Sequence, residues 1–222
     1  MTTTYGQFCP VAMASEVLTE RWTPLVVREL LCGSTHFNDL RRGVPLMSPA
    51  LLSKRLKTLE RVGVVEHRAG EYRLTPAGEE LRTVIEALGV WGQRWARGDV
   101  VAKKYDASLL MWDIHRNVDV AALPPQRVVV HFHLQGSSDR KSHFWLVLDA
   151  PSVDLCLTDP GHDVDVVVDG HITTMVDYWM GRADFMGAVK AGDLKVVGPR
   201  PLVRALPTWF TRSLFAPVPL PG

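Results

Sequence analysis

The cations between residues 41 and 73 are spaced to meet a polyanion. From Ser48 to Arg61 the chain reads Ser-Pro-Ala-Leu-Leu-Ser-Lys-Arg-Leu-Lys-Thr-Leu-Glu-Arg. At about 100° per residue, Leu52, Leu56 and Leu59 share one stripe. Ala50, Lys54, Lys57 and Arg61 fall opposite them, flanked by Ser53. A helix divided in this way docks on a core by its leucines and offers small and cationic side chains to the major groove of duplex DNA. A charge row on a helix is more often a plain solvated face, so the neighbours decide. Ser48 is a natural N-cap, Pro49 suits the first helical position, and Gly63 stops the helix. Val64 to Arg68 and Tyr72 to Leu74 then read as short strands about an Ala69-Gly70-Glu71 turn, with His67, Arg68 and Arg73 on or beside the hairpin. Helix, tight stop and basic hairpin come in the order of a winged helix-turn-helix.

The elements that position this segment are legible on both sides. Pro10 to Glu20 reads as a helix with Val11, Ala14, Val17 and Leu18 inward. Thr23-Pro24 opens a strongly apolar helix (Leu25, Val26, Val27, Leu30, Leu31) that ends at Gly33, where Cys32 is expected to pack. Phe37 to Arg42 is a third short helix, and Gly43-Val44-Pro45 is the turn ahead of the recognition helix. Thr75-Pro76 opens a fifth that continues to about Arg97. Along it Val84, Leu88, Trp91 and Trp95 recur at spacings of four, three and four, a heptad-like seam. Packing within the same domain and pairing with a second copy both satisfy that seam. Tryptophan enrichment at interfaces and the pairing of palindromic half-sites point to the second.

The whole composition bounds the answer. At 222 residues the chain suits one large or two modest domains, and 46% apolar with 22% charged residues is ordinary for a globular protein. The net charge of +1 hides an asymmetry: residues 1–104 carry 15 Lys and Arg against 11 Asp and Glu, and residues 105–222 carry 10 against 13. Every acidic residue after Asp99 is Asp, which favours turns and caps over helix interiors. Three scattered cysteines give neither a disulfide framework nor a CxxC pair, and no apolar run approaches a membrane span. The N-terminus lacks the pattern of a signal peptide, so a reducing cytoplasm is the expected compartment.

Five stretches, in order, carry a resemblance. Tyr5-Gly-Gln-Phe-Cys-Pro-Val, Arg21-Trp-Thr-Pro-Leu-Val-Val-Arg-Glu-Leu, Phe37-Asn-Asp-Leu, Ser53-Lys-Arg-Leu-Lys-Thr-Leu-Glu and Tyr72-Arg-Leu-Thr-Pro-Ala-Gly closely resemble the HxlR family of bacterial transcription regulators over about residues 5–98. The resemblance implies homodimeric winged helices on double-stranded operator DNA. On that template Ser53, Lys54 and Lys57 would enter the major groove, and Arg68 and Arg73 would approach phosphate or minor groove at the wing. Arg41 and Arg42 are better placed for phosphates, and Arg55 and His67 complete the candidate set. Cys9 matches the position at which some members of the family sense oxidants or electrophiles. A thiol at a helix N-terminus can be acidified, although cysteine is as often a small buried apolar residue.

The second half changes character. Asp99 to Asp106 is a charged junction, and Ser108 to Val118 a helix. Four strand-like runs follow at Arg127–Leu134, His143–Asp149, Asp154–Thr158 and Asp163–Val168, with helices at Thr173–Gly181, near Asp184–Ala191 and at Pro201–Leu206, and one more strand at Leu194–Val197. The order suggests an antiparallel meander covered by helices. From Val153 onward, Thr174-Met-Val-Asp-Tyr-Trp-Met-Gly-Arg-Ala-Asp and Ala188-Val-Lys-Ala-Gly-Asp-Leu-Lys-Val-Val-Gly resemble the sterol carrier protein fold, which implies an apolar ligand tunnel. Phe132, Trp145, Met175, Trp179, Met180, Met186 and Trp209 are the candidate lining residues; the alternative is that they fill a core.

His131, His133 and His143 could converge, but they fit a solvent-facing row equally well, and no metal or cofactor is assigned. No nucleophile elbow, zincin helix or isolated carboxylate pair argues for an enzyme. The chain is therefore expected to be an α+β protein. Residues 1–98 form a winged helix for DNA binding and dimerisation, and residues 107–215 a sterol-carrier-like domain for an apolar small molecule. A lipid carrier whose winged helix binds protein, and a redox regulator acting through Cys9, are the alternatives.

Overall fold

A computed structural model of the chain describes residues 4–96, 105–138 and 141–219. It divides into two compact units, Met1–Trp91 and Gly92–Gly222. The junction expected at Asp99–Asp106 lies, up to residue 104, outside the described residues, as does the expected helix end at Arg97.

The first unit is built on helices α1 (Pro10–Leu18), α2 (Thr23–Leu31), α3 (Phe37–Gly43) and α4 (Pro49–Arg61), then the hairpin β1 (Val65–Arg68) and β2 (Glu71–Leu74), then α5 (Pro76–Trp95). Its core gathers Val26, Val27 and Leu30 of α2, Leu40 of α3, Leu52, Leu56 and Leu59 of α4, Val65 of β1 and Ile85 of α5. Ser48 caps α4 by accepting from the Leu51 amide at 3.3 Å, and Pro49 stands at its first turn. The hairpin turns on two residues, Ala69 at φ 51 and Gly70 at φ 83, and Glu71 already belongs to β2. Such a turn needs both residues left-handed, which suits the right-handed twist of the strands.

Two expectations for this unit need correction. Val11 and Ala14 of α1 are exposed rather than inward, and Cys32 is exposed rather than packed. Val17 and Leu18 are half-buried, so α1 rests on the unit only by its C-terminal end. Cys32 lies beyond the last turn of α2, where the chain has left the core.

The second unit is a five-stranded sheet with helices packed on one face. Its elements are α6 (Ala107–Arg116), β3 (Val128–Gln135), β4 (His143–Asp149), β5 (Ser152–Cys156), β6 (Val166–His171), α7 (Ile172–Trp179), α8 (Phe185–Ala191), β7 (Leu194–Val197) and α9 (Arg200–Ala205). β3, β4 and β5 form the expected meander, but β6 crosses back and pairs in parallel with β3, giving the order β5-β4-β3-β6-β7. Period-2 alternation does the sorting: Val128, Val130, Phe132 and Leu134 of β3, with Phe144, Leu146 and Leu148 of β4, face the helices. The intervening residues His131, His133, His143 and Trp145 stand on the other face.

Candidate nucleic-acid interface

Helix α4 carries the site because its two sides have opposite fates. Leu52, Leu56 and Leu59 are buried, whereas Ala50, Ser53, Lys54, Lys57, Thr58 and Arg61 line one open concavity on the outer side. Lys54 and Lys57 are exposed cations one turn apart, and Ser53 lies half-buried beside them. Two ammonium groups and a hydroxyl in this setting can donate to phosphate oxygens or to base edges in a major groove.

Arg55 is the exception among the predicted contacts. It sits three residues after Leu52 and four before Leu59, on the border of the buried stripe. Its guanidinium pairs with the Glu20 carboxylate, its Nε donates to the Arg21 carbonyl at 3.1 Å, and its side chain is 11% exposed. It therefore faces the α1–α2 corner and not the outer concavity, which corrects its assignment as a DNA contact. The border position was the signal that sequence reading missed.

The wing and the turn region present their cations differently. Arg68 is highly exposed and pairs with Glu66 at 3.1 Å, and the Nε of Arg73 donates to Glu71 at 2.9 Å. The two arginines thus have acidic partners within the hairpin. His67 stacks on Tyr72 with ring centroids 4.1 Å apart, and the Tyr72 amide donates to the Thr35 carbonyl at 2.8 Å, which ties the wing to the loop after α2. Arg41 is exposed at the end of α3, and Arg42 lies 3.5 Å from Asp39.

A second feature missed by sequence reading sets the turn before α4. Glu29, fully buried on α2, pairs with Arg28, and the Arg28 guanidinium donates to the Gly43 carbonyl at 2.9 Å. A Cβ on Gly43 would lie 1.8 Å from the Glu29 carboxyl carbon, so a larger residue here would push the Glu29 carboxylate out of its place. An acidic residue inside an apolar helix was the available sign.

Cys9 is the N-cap residue of α1 and is half-buried. The Cys156 thiol is pushed up by burial and by the nearby Asp154, which disfavours its thiolate.

The residues predicted to line a ligand cavity separate into two groups. Phe132, Met175, Trp179 and Trp209 are buried in the apolar cluster between sheet and helices, with Met180 and Met186 packed against it. Trp145 stands on the opposite sheet face and stacks on His131 at 4.7 Å, so it cannot share a cavity with the others. The alternation along β4 puts it there. His131, His133 and His143 do converge on that face: His131 Nε2 and His143 Nδ1 are 3.0 Å apart, and His133 Nδ1 lies 2.7 Å from Asp169. Among the described residues no group of three His, Cys, Asp or Glu is arranged to hold a metal ion.

The family model of the HxlR-like helix-turn-helix matches residues 17–99. The uncharacterized HTH-type transcriptional regulator YvaP of Bacillus subtilis is 34% identical over 98 residues, which are 40% of this chain and 91% of YvaP. The HTH-type transcriptional regulator YodB of the same organism is 29% identical over 105 residues, 43% of this chain and 94% of YodB. Among mycobacterial regulators the chain spans less, 58% of a Mycobacterium bovis relative that is 37% identical. A solved structure of the UbiJ-SCP2 ubiquinone synthesis protein is 20% identical, with a TM-score of 0.34 over 46% of this chain and 82% of that one.

Proposed function

The chain belongs to the HxlR-like helix-turn-helix family, and on that premise we propose that it is a sequence-specific DNA-binding transcription regulator, acting by binding rather than catalysis, in the cytoplasm. The observation that carries this reading is the outer face of α4: Lys54 and Lys57 open to solvent, with Ser53 beside them, above a fully buried leucine stripe. A duplex selected from a random-sequence pool by the full chain is the probe. Fluorescence anisotropy at several salt concentrations should show affinity falling steeply with salt. Lys57→Ala should weaken binding at least tenfold and reduce the slope of log K against log salt by about one. Arg68→Ala should cost less sequence preference. Failure of the chain to enrich any duplex would sink the reading.

The reader is a homodimer in this proposal. Val84, Leu88, Trp91 and Trp95 of α5 are all exposed, as are Phe8, Val11 and Met13 at the start of the chain. Large apolar side chains gathered on one helix face favour cover by a second copy. Trp91→Arg combined with Trp95→Arg should turn a dimer in sedimentation velocity into a monomer and weaken duplex binding. A wild-type chain that sediments as a monomer at micromolar concentration overturns this part.

Control falls to the second half of the chain. Residues 107–215 would hold an apolar small molecule, and residues 1–98 would read DNA and dimerise. The Trp179 indole N–H is buried in the apolar cluster with no acceptor among the described residues, and a ligand oxygen would satisfy it. Fatty acids and apolar ketones should raise the thermal midpoint and change duplex affinity. Equal affinity with and without saturating compound would remove ligand control and leave DNA binding standing. Thiol control through Cys9 is the second reading, favoured by its place at the start of α1; Cys9→Ser would abolish any response of duplex binding to diamide.

A further inference from the structure

The corner between α1 and α2 is unusual in its backbone and in what it grips. Trp22 adopts φ 79, a left-handed conformation that a bulky residue rarely takes. The Arg21 guanidinium lies 5.5 Å from the centre of the Trp22 ring. This geometry leaves the Arg21 carbonyl free to accept from Arg55 of α4, while Glu20, one residue earlier, supplies the carboxylate that pairs with the same guanidinium. One side chain of the recognition helix is thus held at two points by the corner between α1 and α2. Val11 and Met13 near the start of α1 are exposed, and Phe8 ahead of it is 98% open.

We infer that Arg55 is a positioning residue: held by Glu20 and the Arg21 carbonyl, it sets the pose in which α4 presents Ser53, Lys54 and Lys57, and it links α1 to the reading helix. The inference rests on the DNA-binding reading and adds a positioning residue to it. Arginine suits the role because its fork can satisfy a carboxylate and a carbonyl together, whereas the single ammonium of lysine serves one well.

Glu20 makes the test selective, since it lies in the turn between α1 and α2 and not on the outer face of α4. With the duplex selected by the wild-type chain as probe, Glu20→Gln should lower affinity fivefold or more while leaving the salt slope unchanged. Arg55→Ala should do the same more strongly, and Arg55→Lys should recover part of the loss. Arg55→Glu should be the weakest binder, and adding Glu20→Arg to it should restore at least tenfold. Affinities are referred to the folded fraction, measured by circular dichroism, so a variant that merely unfolds does not mimic the effect. Two results overturn the inference: a Glu20→Gln chain that binds as wild type, or an Arg55→Ala chain whose salt slope drops by about one, as loss of a phosphate contact requires. Wild-type binding to the selected duplex tests the underlying reading separately.

Discussion

At the scale of single residues, two buried or stacked rings give the fold opposite limits in pH. The His131 imidazole is held below its ordinary value by burial and by the neighbouring His143 and His133. Below about pH 6.5 the unfolded chain therefore takes up a proton that the folded one resists. Stability is full above that value and falls as the pH drops through the window. Urea midpoints at pH 7.5, 6.5 and 5.5 should decline in the wild type and decline less in His131→Gln. Tyr178 does the reverse. Burial pushes its phenol up to about 12, and its hydroxyl donates to the Pro207 carbonyl at 3.2 Å. From pH 10 upward the unfolded chain loses a proton that the folded chain keeps, so stability falls as pH rises through 10 towards 12. Tyr178→Phe should cost about 1 kcal/mol at neutral pH through the lost hydrogen bond, yet flatten the alkaline decline. The sequence showed His133 beside His131 on one strand face, but the approach of His143 from β4, twelve residues on, and of the Pro207 acceptor to Tyr178, twenty-nine residues away, come from the fold.

At the scale of elements, the wing hairpin holds a small reserve of stability. Ala69 occupies a left-handed position that asparagine tolerates better. Ala69→Asn should therefore stabilise the first unit by about 0.5–1 kcal/mol, seen as a higher denaturation midpoint with unchanged DNA affinity. The helices of this unit were legible because their signals are local. Ser48 and Pro49 start α4, a 3.6-residue apolar rhythm carries it, and the observed span Pro49–Arg61 differs little from the reading. The strands were legible in place but not in partner. β6 was expected to follow β5 in a meander, and its own residues, Val166 to His171, carry nothing that names β3 as its neighbour. Pairing of that kind is decided by tertiary packing. The same limit explains Arg55, whose type and helix were right and whose direction was set by a residue thirty-four positions earlier.

At the scale of the whole molecule, the uneven charge along the chain and the shift from Glu to Asp matched a change of architecture from helical to sheet-rich. Among the described residues no helix is long and apolar enough to cross a membrane. The parallel pairing of β3 with β6 has a further consequence, in time rather than space. Val130 and Val166 are partners thirty-six residues apart, so the centre of the second unit closes only after most of that unit has been synthesised. The first unit is built on nearer neighbours, and units with local contacts fold sooner. On the ribosome the DNA-reading half is then finished while its proposed controller is still unfolded chain. On the proposed division of labour, each new molecule would complete the fold of its reading unit before that of the unit proposed to govern it.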